Sequence, residues 1–415
     1  MMGMPAKMVE LIRDLYSGTT TCFSLLSEET EEIAVSCGVR QGDPLSPILF
    51  NLAIEPVISA ALLKRPTAGY SFGPTSIAVL AYADDILLIG RNAGMLRSLL
   101  FSIGTAAEWC GLSFNGKKCA TLHLDLRKGG SKLQDSHFQI QKEEMKALEE
   151  GESYRYLGCP IGFETDSTPD AALRNFRNCE TLRDLRILSE SSLLPWQKID
   201  ALQVLPLSRL TFPLRIAAVS LKKLAEADNA TRRSVKRWMG LPQYASREIV
   251  TMRNAHGGGG YMPLQVEHCI LTTTQAFHML SSRDAVVKEA AWYSLQDAVH
   301  RRIGKKSSPP TRELLCKYLC GSMEEELARD AGDVASLWTR TKRAARSLAP
   351  LCKIEWQWSE ARKELRIRVA NPSPSSELVV VPQSAYRRIH QTLREAVFEG
   401  KRRELSGPDS MSSLS

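Results

Sequence analysis

The sequence of 415 residues predicts an α+β protein, because two patterns of apolar residues follow each other along it. Up to about residue 165, segments with helically spaced apolar residues alternate with short runs typical of hairpin strands. From about residue 170 the apolar spacing is mostly helical and the segments are basic. A chain of this length has room for two or three domains. We expect domains at 1–165, 166–255 and 256–415, the last containing a small β meander and a basic helix.

The first of these regions is predicted segment by segment. Apolar residues at helical spacing in MMGMPAKMVELIRDLYSG predict an amphipathic helix that ends at Gly18. Further elements follow in chain order: a strand pair in 19–39, a loop feeding the buried helix ILFNLAIEPVISAALL, the buried hairpin SIAVLAYADDILLIG, the helix MLRSLLFSIGTAAEWCGLSF, the turn and strand GLSFNGKKCATLHL, and the hairpin YRYLGCPIG.

The later regions are predicted in the same way. Helices are expected in AALRNFRNCETLRDLRIL, in WQKIDALQVLPLSRLTFPLRIAAV, in a segment ending TRRSVKRWMGLP, and onward to about 350, with a break at the basic loop GKKSSPP. The run HGGGG predicts flexible or tightly turned backbone. The β meander is expected in WQWSEARKELRIRVANPSPSSELVVVP, and the basic helix in AYRRIHQTLREAVFEGKRRE, before a Ser-rich tail.

Charge and apolar content narrow the classes of partner. Lys and Arg number 54 against 46 acidic residues, which gives a net charge of +8. That balance favours a polyanion partner without requiring one, since a soluble surface also explains it. The sequence predicts no run that approaches the roughly 18–20 apolar residues of a membrane span, so we expect no membrane partner.

The ten cysteines are scattered, which is typical of an intracellular protein with reduced thiols. Cys316 and Cys320 form the one tight pair, and a zinc site needs four ligands at characteristic spacing. Two cysteines four residues apart are better explained as one face of a helix.

Asp84 and Asp85 stand side by side between two apolar runs, VLAY and ILLIG. Two-residue hairpin turns favour Asn-Gly, Asp-Gly or Gly-X, so turn chemistry does not explain the pair. Adjacent carboxylates repel unless a positive charge lies near them, and a bound cation would supply it. Solvated surface charge is the other interpretation, which the apolar flanks make less favourable.

Four strings in order carry a resemblance: RQGDPLSPILFNLAIEP, AYADDILLIG, GLSFNGKKC and YRYLGCPIG. Together they resemble the lower palm and thumb of a reverse transcriptase of non-LTR (target-primed) retrotransposons, especially the clade that inserts into ribosomal RNA genes. VKRWMGLP and AHGGGGYMPL are similar to the family's thumb and its exit into a linker. The resemblance spans the chain to about residue 290. It implies an incomplete right-hand polymerase palm, an antiparallel sheet with helices, followed by a helical thumb and a linker.

The resemblance implies an RNA-directed DNA polymerase and assigns its metal residues. Two divalent ions about 4 Å apart stabilise the attacking and leaving oxygens in such transfers. Mg²⁺ is expected, with Mn²⁺ as a possible substitute, and Asp84 would be the main ligand with Asp85 the weaker partner. Lys118 falls where the family places a lysine near the pyrophosphate, and could donate a proton to the leaving group. An exposed lysine beside Lys117 is the alternative.

Three further groups of residues are implied by the same resemblance. Arg40, Gln41, Gly42, Asp43 and Pro44 would position nucleotide and template, the alternative being a Pro-capped helix start. Tyr156, Leu157 and Gly158 would form the primer grip, the alternative being a plain hairpin. Arg232, Arg233, Lys236 and Arg237 lie on one predicted helix beside Trp238 and suit a nucleic-acid backbone, although a solvated face explains them equally well.

The chain departs from the family pattern at both ends. The family's first palm aspartate and its fingers precede the segment matched by residues 1–18, and its zinc knuckle and endonuclease follow the thumb and linker. We therefore expect a fragment that does not polymerise at a useful rate. The alternative is a catalytically dead remnant that binds RNA or DNA; another palm polymerase or an intron maturase fits KRWMGLP and GGGG less well. The implied partners are an RNA template, a DNA primer or target, and deoxynucleoside triphosphates, in the nucleus.

Overall fold

A computed structural model describes residues 3–25, 28–64, 67–127, 130–163, 180–216, 219, 221–303, 308–321, 336–371 and 379–406. They form two compact units. The first comprises Met1–Gly69, Ala78–Lys118 and Phe138–Met145, and the second the described residues of Tyr70–Ile77, Cys119–His137 and Lys146–Ser415. The predicted α+β class is confirmed, while the predicted domain boundaries at 165 and 255 stay predictions.

The first unit contains three helices and its own set of short strands. The helices are α1 (Ala6–Tyr16), α2 (Ser46–Lys64) and α3 (Ala93–Trp109). The strands are β1 (Thr20–Thr21), β2 (Ser24–Leu25), β3 (Glu28–Glu29), β4 (Ile33–Ala34), β7 (Val79–Tyr82), β8 (Asp85–Leu88), β12 (Gln139–Ile140) and β13 (Glu143–Glu144). β1 pairs with β4 and β2 with β3, as the predicted strand pair around an acidic turn requires.

The core of the first unit lies between α2, α3 and the strands that follow them. Val57 and Ala61 of α2 and Leu99 and Ile103 of α3 are fully buried in it, and Phe138 closes one side. This packing explains the helical spacing of apolar residues in both segments, because a buried face recurs every third or fourth position. The apolar face of α1 is different, since Met8, Leu11 and Leu15 are exposed.

Helix α2 corrects one expectation from the sequence. Its window Ser46–Leu63 has a mean hydropathy of 1.6 and is long and apolar enough to cross a membrane, although only 22% of the window is buried. The sequence-based expectation that no run approaches the length of a membrane span is therefore wrong for this helix. A single helix of this kind is weak evidence for a membrane span, because core helices of soluble proteins pass the same test. Its packing against α3 assigns it to the core of this unit.

The second unit begins with strand pairs and continues with helices. Its early strands are β5 (Tyr70–Phe72), β6 (Thr75–Ile77), β9 (Ala120–Thr121), β10 (Leu124–Arg127), β11 (Gly130–Leu133), β14 (Lys146–Ala147), β15 (Ser153–Tyr156) and β16 (Cys159–Gly162). Its helices are α4 (Glu180–Glu190), α5 (Pro195–Leu202), α6 (Ser208–Ile216), α7 (Leu221–Trp238), α8 (Arg247–Thr251), α9 (Leu264–Leu280), α10 (Ala285–Ile303), α11 (Arg312–Cys320), α12 (Leu337–Leu348) and α13 (Ile389–Ser406).

One predicted helix differs in its interior. The predicted helix at 196–219 is described continuously up to residue 216 and consists of α5, a π-helical turn at Gln203–Leu207, and α6. Pro206 lies in that turn and Pro213 in α6. Proline lacks the N–H that the helical ladder requires, and π-helical turns are one way in which a helix accommodates the loss.

The C-terminal part of the second unit has the largest core cluster of the described residues. The predicted meander is confirmed as β17 (Lys353–Ser359), β18 (Glu364–Ala370) and β19 (Val379–Pro382), in the order β17-β18-β19, and the predicted basic helix as α13. Ile354, Trp356, Leu365 and Ile367 face the helices, and the ring of Phe277 meets that of Trp356 edge-on at 5.9 Å. Cys316 and Cys320 lie four residues apart on α11, as expected for one helix face.

The expected palm sheet is not seen as one sheet. Among the described residues, β7 pairs only with β8 and β15 only with β16, and one short pair, β9 with β14, is parallel. Strands of two to four residues offer few ladder hydrogen bonds, so local turns decide their pairing. Four predicted segments lie partly outside the described residues: the helix at 171–188, the loop GKKSSPP, the Pro/Ser loop and the Ser-rich tail.

Candidate functional site

The aspartate pair lies on a two-stranded hairpin with an unusual turn. Tyr82 pairs with Asp85, so the turn residues are Ala83 and Asp84, and Asp85 is the first residue of β8. Ala83 has a φ of 51°, a left-handed backbone that non-glycine residues rarely adopt. Such strain often marks functional sites. Both aspartates are exposed, and Tyr82 beside them is 70% exposed, so the predicted buried hairpin is wrong at its tip.

The other end of the hairpin is firmly attached. Val79, Ile86 and Leu88 pack against the core between α2 and α3. Beyond the paired strands, the N–H of Ile89 donates to the carbonyl of Ala78 at 2.8 Å, and that of Arg91 to Ala68 at 2.8 Å. The exposed tip with its two carboxylates is therefore presented to solvent from a packed base.

Position 90 has no space for a side chain, which explains the glycine there. A Cβ built on it would lie 2.8 Å from both the Cβ and the backbone nitrogen of Leu96. We expect Gly90→Ala to reduce the free energy of unfolding by about 1–3 kcal/mol, because the neighbouring atoms are backbone or close to it and cannot move aside. Urea denaturation followed by circular dichroism measures this. Gly94→Ala, in the first turn of α3 with only Asn92 Oδ1 nearby at 3.4 Å, is the control and should not destabilise the protein. Equal stability of the two variants would contradict the prediction.

The RQGDPLSP segment forms a tight turn before α2. The N–H of Asp43 donates to the carbonyl of Arg40 at 3.3 Å, and Gly42 in third position has a φ of 91°, as a type II turn requires. Nothing lies within 4 Å of a Cβ built on Gly42, so backbone geometry explains this glycine rather than close approach. The carboxylate of Asp43 accepts the N–H of Leu45 at 2.9 Å, which caps the turn that leads through Pro44 into α2. Gln41 is exposed beside it.

The Arg40 side chain donates hydrogen bonds within the chain. Its Nη2 donates to the carbonyl of Leu15 at 2.6 Å and to Thr19 Oγ1 at 2.8 Å, and its guanidinium lies 5.4 Å from the ring centre of Tyr16. The carbonyl of Leu15 belongs to the last turn of α1, where arginine is favoured by the helix dipole. Arg40 thus connects the turn to α1, a role that the sequence did not predict.

Lys118 ends a short 3-10 turn at Gly116–Lys118 and is exposed. The turn is attached to the β12–β13 hairpin, 27 residues further along the chain. Gln141 Oε1 accepts the N–H of Phe114 at 2.7 Å, while its Nε2 donates to the carbonyls of Gly104 and Leu112 at 3.2 and 3.1 Å. Glu143 Oε2 accepts the N–H of Gly116 at 2.7 Å. Neither Gln141 nor Glu143 belongs to a motif that the sequence singles out.

Removing the Gln141 side chain should loosen this turn. We expect Gln141→Ala to raise the amide hydrogen-exchange rate of residues 112–118 at least tenfold, because its two hydrogen bonds to this segment, with Phe114 and Leu112, are lost at about 1 kcal/mol each. Exchange measured by mass spectrometry, peptide by peptide, tests this, with Lys142→Ala as the control because Lys142 is the exposed neighbour in the same turn. Unchanged protection of 112–118 would show that Gln141 does not hold the turn.

The YRYLGCPIG hairpin is confirmed as β15 and β16, with Tyr156 paired to Cys159. Its two turn residues, Leu157 and Gly158, have φ values of 47° and 81°, as a type I′ turn requires. Leucine is a poor residue for this conformation, so the turn is strained. A Cβ on Gly158 would lie 3.7 Å from the Phe212 ring of α6, which shows how close that ring is to the turn.

The four basic residues predicted on one helix differ in their exposure to solvent. Arg233 and Arg237 are exposed on α7, and Arg232 is half-buried with its Nη2 on Asn229 Oδ1 at 2.6 Å. Lys236 differs from the expectation: it is buried, and its ammonium donates to the carbonyls of Gln243 and Ala245 at 2.8 and 2.5 Å. It holds the 243–245 loop in place, so it is not placed to contact a nucleic-acid backbone.

Asp228 on α7 stabilises the start of α9. Its carboxylate accepts hydrogen bonds from Tyr261 Oη at 2.5 Å, from the N–H of Leu264 at 2.6 Å and from the N–H of Gln265 at 3.1 Å. The residue before α9 is Pro263, whose side chain cannot cap, so an aspartate from another helix satisfies the free N–H groups. Burial raises the pKa of Asp228, and the three hydrogen bonds oppose that rise.

Residues 2–161 match the reverse transcriptase (RNA-dependent DNA polymerase) family. The chain is 27% identical over 252 residues to the Pol polyprotein of a type-1 retrotransposable element R2 of Popillia japonica, a match that covers 60% of this chain and 34% of the relative. The chain is 29% identical over 273 residues to the Pol polyprotein of the type-2 element R2DM of Drosophila melanogaster. This match covers 63% of this chain and 24% of that relative. Residues 2–161 are thus similar to reverse transcriptases, and the longer matched region to the Pol polyproteins of non-LTR retrotransposons.

The chain spans about a quarter to a third of the length of these relatives. The chain is also 27% identical over 243 residues to the R2 polyprotein of Nasonia vitripennis, a match that covers 58% of this chain and 22% of that relative. The family uses divalent metal ions, a nucleic-acid template and primer, and nucleotide substrates. Among the described residues, no group of three or more His, Cys, Asp or Glu is placed to hold a metal ion. Asp84 and Asp85 lie within the matched residues 2–161, exposed at the tip of their hairpin.

Proposed function

We propose that this chain supplies the catalytic hairpin, primer grip and thumb of an RNA-directed DNA polymerase of a non-LTR retrotransposon. One observation carries the proposal: Asp84 and Asp85 are exposed at a strained turn, on a hairpin whose base is packed between α2 and α3. Two solvated carboxylates at a rigid tip can receive ions together with the phosphates of a substrate. The relatives named as R2 elements supply the element class.

The reaction is a nucleotidyl transfer. The 3′ oxygen of a DNA primer attacks the α-phosphorus of a deoxynucleoside triphosphate, the bond from that phosphorus to the bridging oxygen breaks, and pyrophosphate leaves while the hydroxyl proton is released. Divalent ions bound here would stabilise the charge on the attacking and leaving oxygens. The oxygen donors of Asp84 and Asp85 suit Mg²⁺, which is commonly held by one or two carboxylates and substrate phosphates. We propose two ions, with Mn²⁺ able to replace Mg²⁺.

The remaining residues have separate roles in this proposal. Lys118 lies exposed on its held turn and would protonate the leaving pyrophosphate. Gln41 and Gly42 would face the nucleotide and template, while Arg40, Asp43 and Pro44 shape their turn. The Tyr156–Gly158 turn would steer the primer end.

Binding of RNA or DNA without synthesis is the second candidate function, and the basic face of α7 favours it. One experiment separates the two: the purified chain is incubated with an RNA template, a labelled DNA primer, deoxynucleoside triphosphates and Mg²⁺ or Mn²⁺. Slow template-directed extension is the expected result, in keeping with the low rate expected from the sequence. Salt-dependent binding of the same template–primer without extension would contradict the polymerase proposal and favour a binding module.

A further inference from the structure

A cleft of about 780 Å³ lies between helix α7 and the loop 243–248 in the second unit. Basic side chains from both sides line it: Arg232 and Arg233 from the helix and Arg247 from the loop. Glu226 and Glu248 also line it, so the three arginines outnumber the two acidic residues. Such a lining suits an anion, and exposed Arg233 and Arg247 have guanidinium groups that can fork onto phosphate.

The loop side of the cleft is held in shape before any ligand binds. The Lys236 ammonium donates to the carbonyls of Gln243 and Ala245, one on each side of Tyr244. The N–H of Ala245 also donates to the carbonyl of Pro242 at 3.0 Å, and Ser246 caps α8 by accepting the N–H of Glu248 at 3.3 Å. A buried charge used in this way fixes the backbone that carries Tyr244, which lowers the entropy cost of binding.

Tyr244 is 92% exposed, although its backbone is held on both sides. An apolar ring in water next to arginines is the combination that binds single-stranded nucleic acid: bases stack on the ring, and the phosphates follow the positive charge. A duplex offers its phosphates but not the faces of its bases, which are already stacked. The ring therefore favours an unpaired strand.

We propose that this cleft binds an unpaired segment of the nucleic acid, with one base stacked on Tyr244 and the adjoining phosphates on Arg233 and Arg247. The proposal rests on the proposed function only in taking nucleic acid as the polymer. It adds a site for single strands that the sequence motifs did not indicate, since Tyr244 and Arg247 lie outside the cluster at 231–238.

The test measures binding of a fluorescent 12-nucleotide RNA, and of the same RNA annealed to its DNA complement, by fluorescence anisotropy at several salt concentrations. Tyr244→Ala should weaken single-strand binding about tenfold, Tyr244→Phe should restore it, and duplex binding should change less than twofold. Arg233→Gln and Arg247→Gln should each reduce the salt slope of log K by about one. The controls are Trp109→Ala, which removes another exposed aromatic, and Arg362→Gln, an exposed arginine outside the cleft.

The inference is overturned if Tyr244→Ala leaves single-strand affinity unchanged, or weakens duplex binding by the same factor. The inference is also overturned if an acidic peptide binds in the cleft and the single-stranded RNA does not. Primer extension is read separately. A chain that fails to extend a primer but shows the Tyr244 effect refutes the proposed polymerase and not the cleft, and the reverse pattern refutes the cleft alone.

Discussion

Asp84→Asn should reduce RNA-templated extension of a DNA primer by about a hundredfold or more, because loss of a metal-binding charge costs several kcal/mol of transition-state stabilisation. Asparagine has nearly the same size and keeps one oxygen donor, so the exposed turn should still form. The effect should appear in the rate of nucleotide incorporation, with the affinity for template–primer unchanged. Single-turnover extension with Mg²⁺ measures both quantities.

Two further variants complete this test. Asp85→Asn should lose less activity than Asp84→Asn, as expected of the weaker partner. Asp14→Asn, which removes an acidic residue from α1, is the matched control and should extend primers like the unmodified chain. Full activity of Asp84→Asn, or equal losses in the control, would refute the assignment of the hairpin as the metal-binding site.

Asp228→Ala should reduce the free energy of unfolding by about 3–5 kcal/mol, which is the second large effect. The substitution leaves the Tyr261 hydroxyl and the N–H groups of Leu264 and Gln265 without their acceptor, in a place where Asp228 is 1% exposed and Tyr261 is fully buried. Urea denaturation at pH 7 measures the loss. Asn229→Ala, at the exposed neighbouring position, should change stability by less than about 0.5 kcal/mol.

The same residue predicts a pH dependence. Because burial raises the pKa of Asp228 in the folded state, the folded chain holds this proton more tightly than the unfolded chain does. This group's contribution to stability is therefore greatest below the unfolded carboxyl pKa and falls as pH rises through the folded pKa. Asp228→Asn cannot ionise, so its loss of stability relative to the unmodified chain should be larger at low pH than at neutral pH. A loss that grows with rising pH would contradict the raised pKa.

Much of the fold was predictable because the signals are local. Periodic apolar residues predicted α3 and α7, alternation predicted β17 and β18, and the order of RQGDPLSP, AYADDILLIG and YRYLGCPIG predicted the family. Each of these signals lies within a short stretch, where helix and strand spacing follow directly from the backbone.

What a side chain does with its polar atoms depended on the tertiary structure. The sequence placed Asp84 and Asp85 on a hairpin, but only the structure showed Ala83 and Asp84 in the turn and an exposed tip. It likewise showed Lys236 bonding the carbonyls of Gln243 and Ala245.

The sequence by itself determined the fold class, the likeness to reverse transcriptases and most helix and strand segments. Only the tertiary structure decided that Glu143 holds the Gly116–Lys118 turn across 27 residues and that Asp228 caps α9 from 36 residues away. The physical reason is range. A hydrogen bond between distant residues forms only after packing has brought donor and acceptor together, and no periodicity in the chain records that packing.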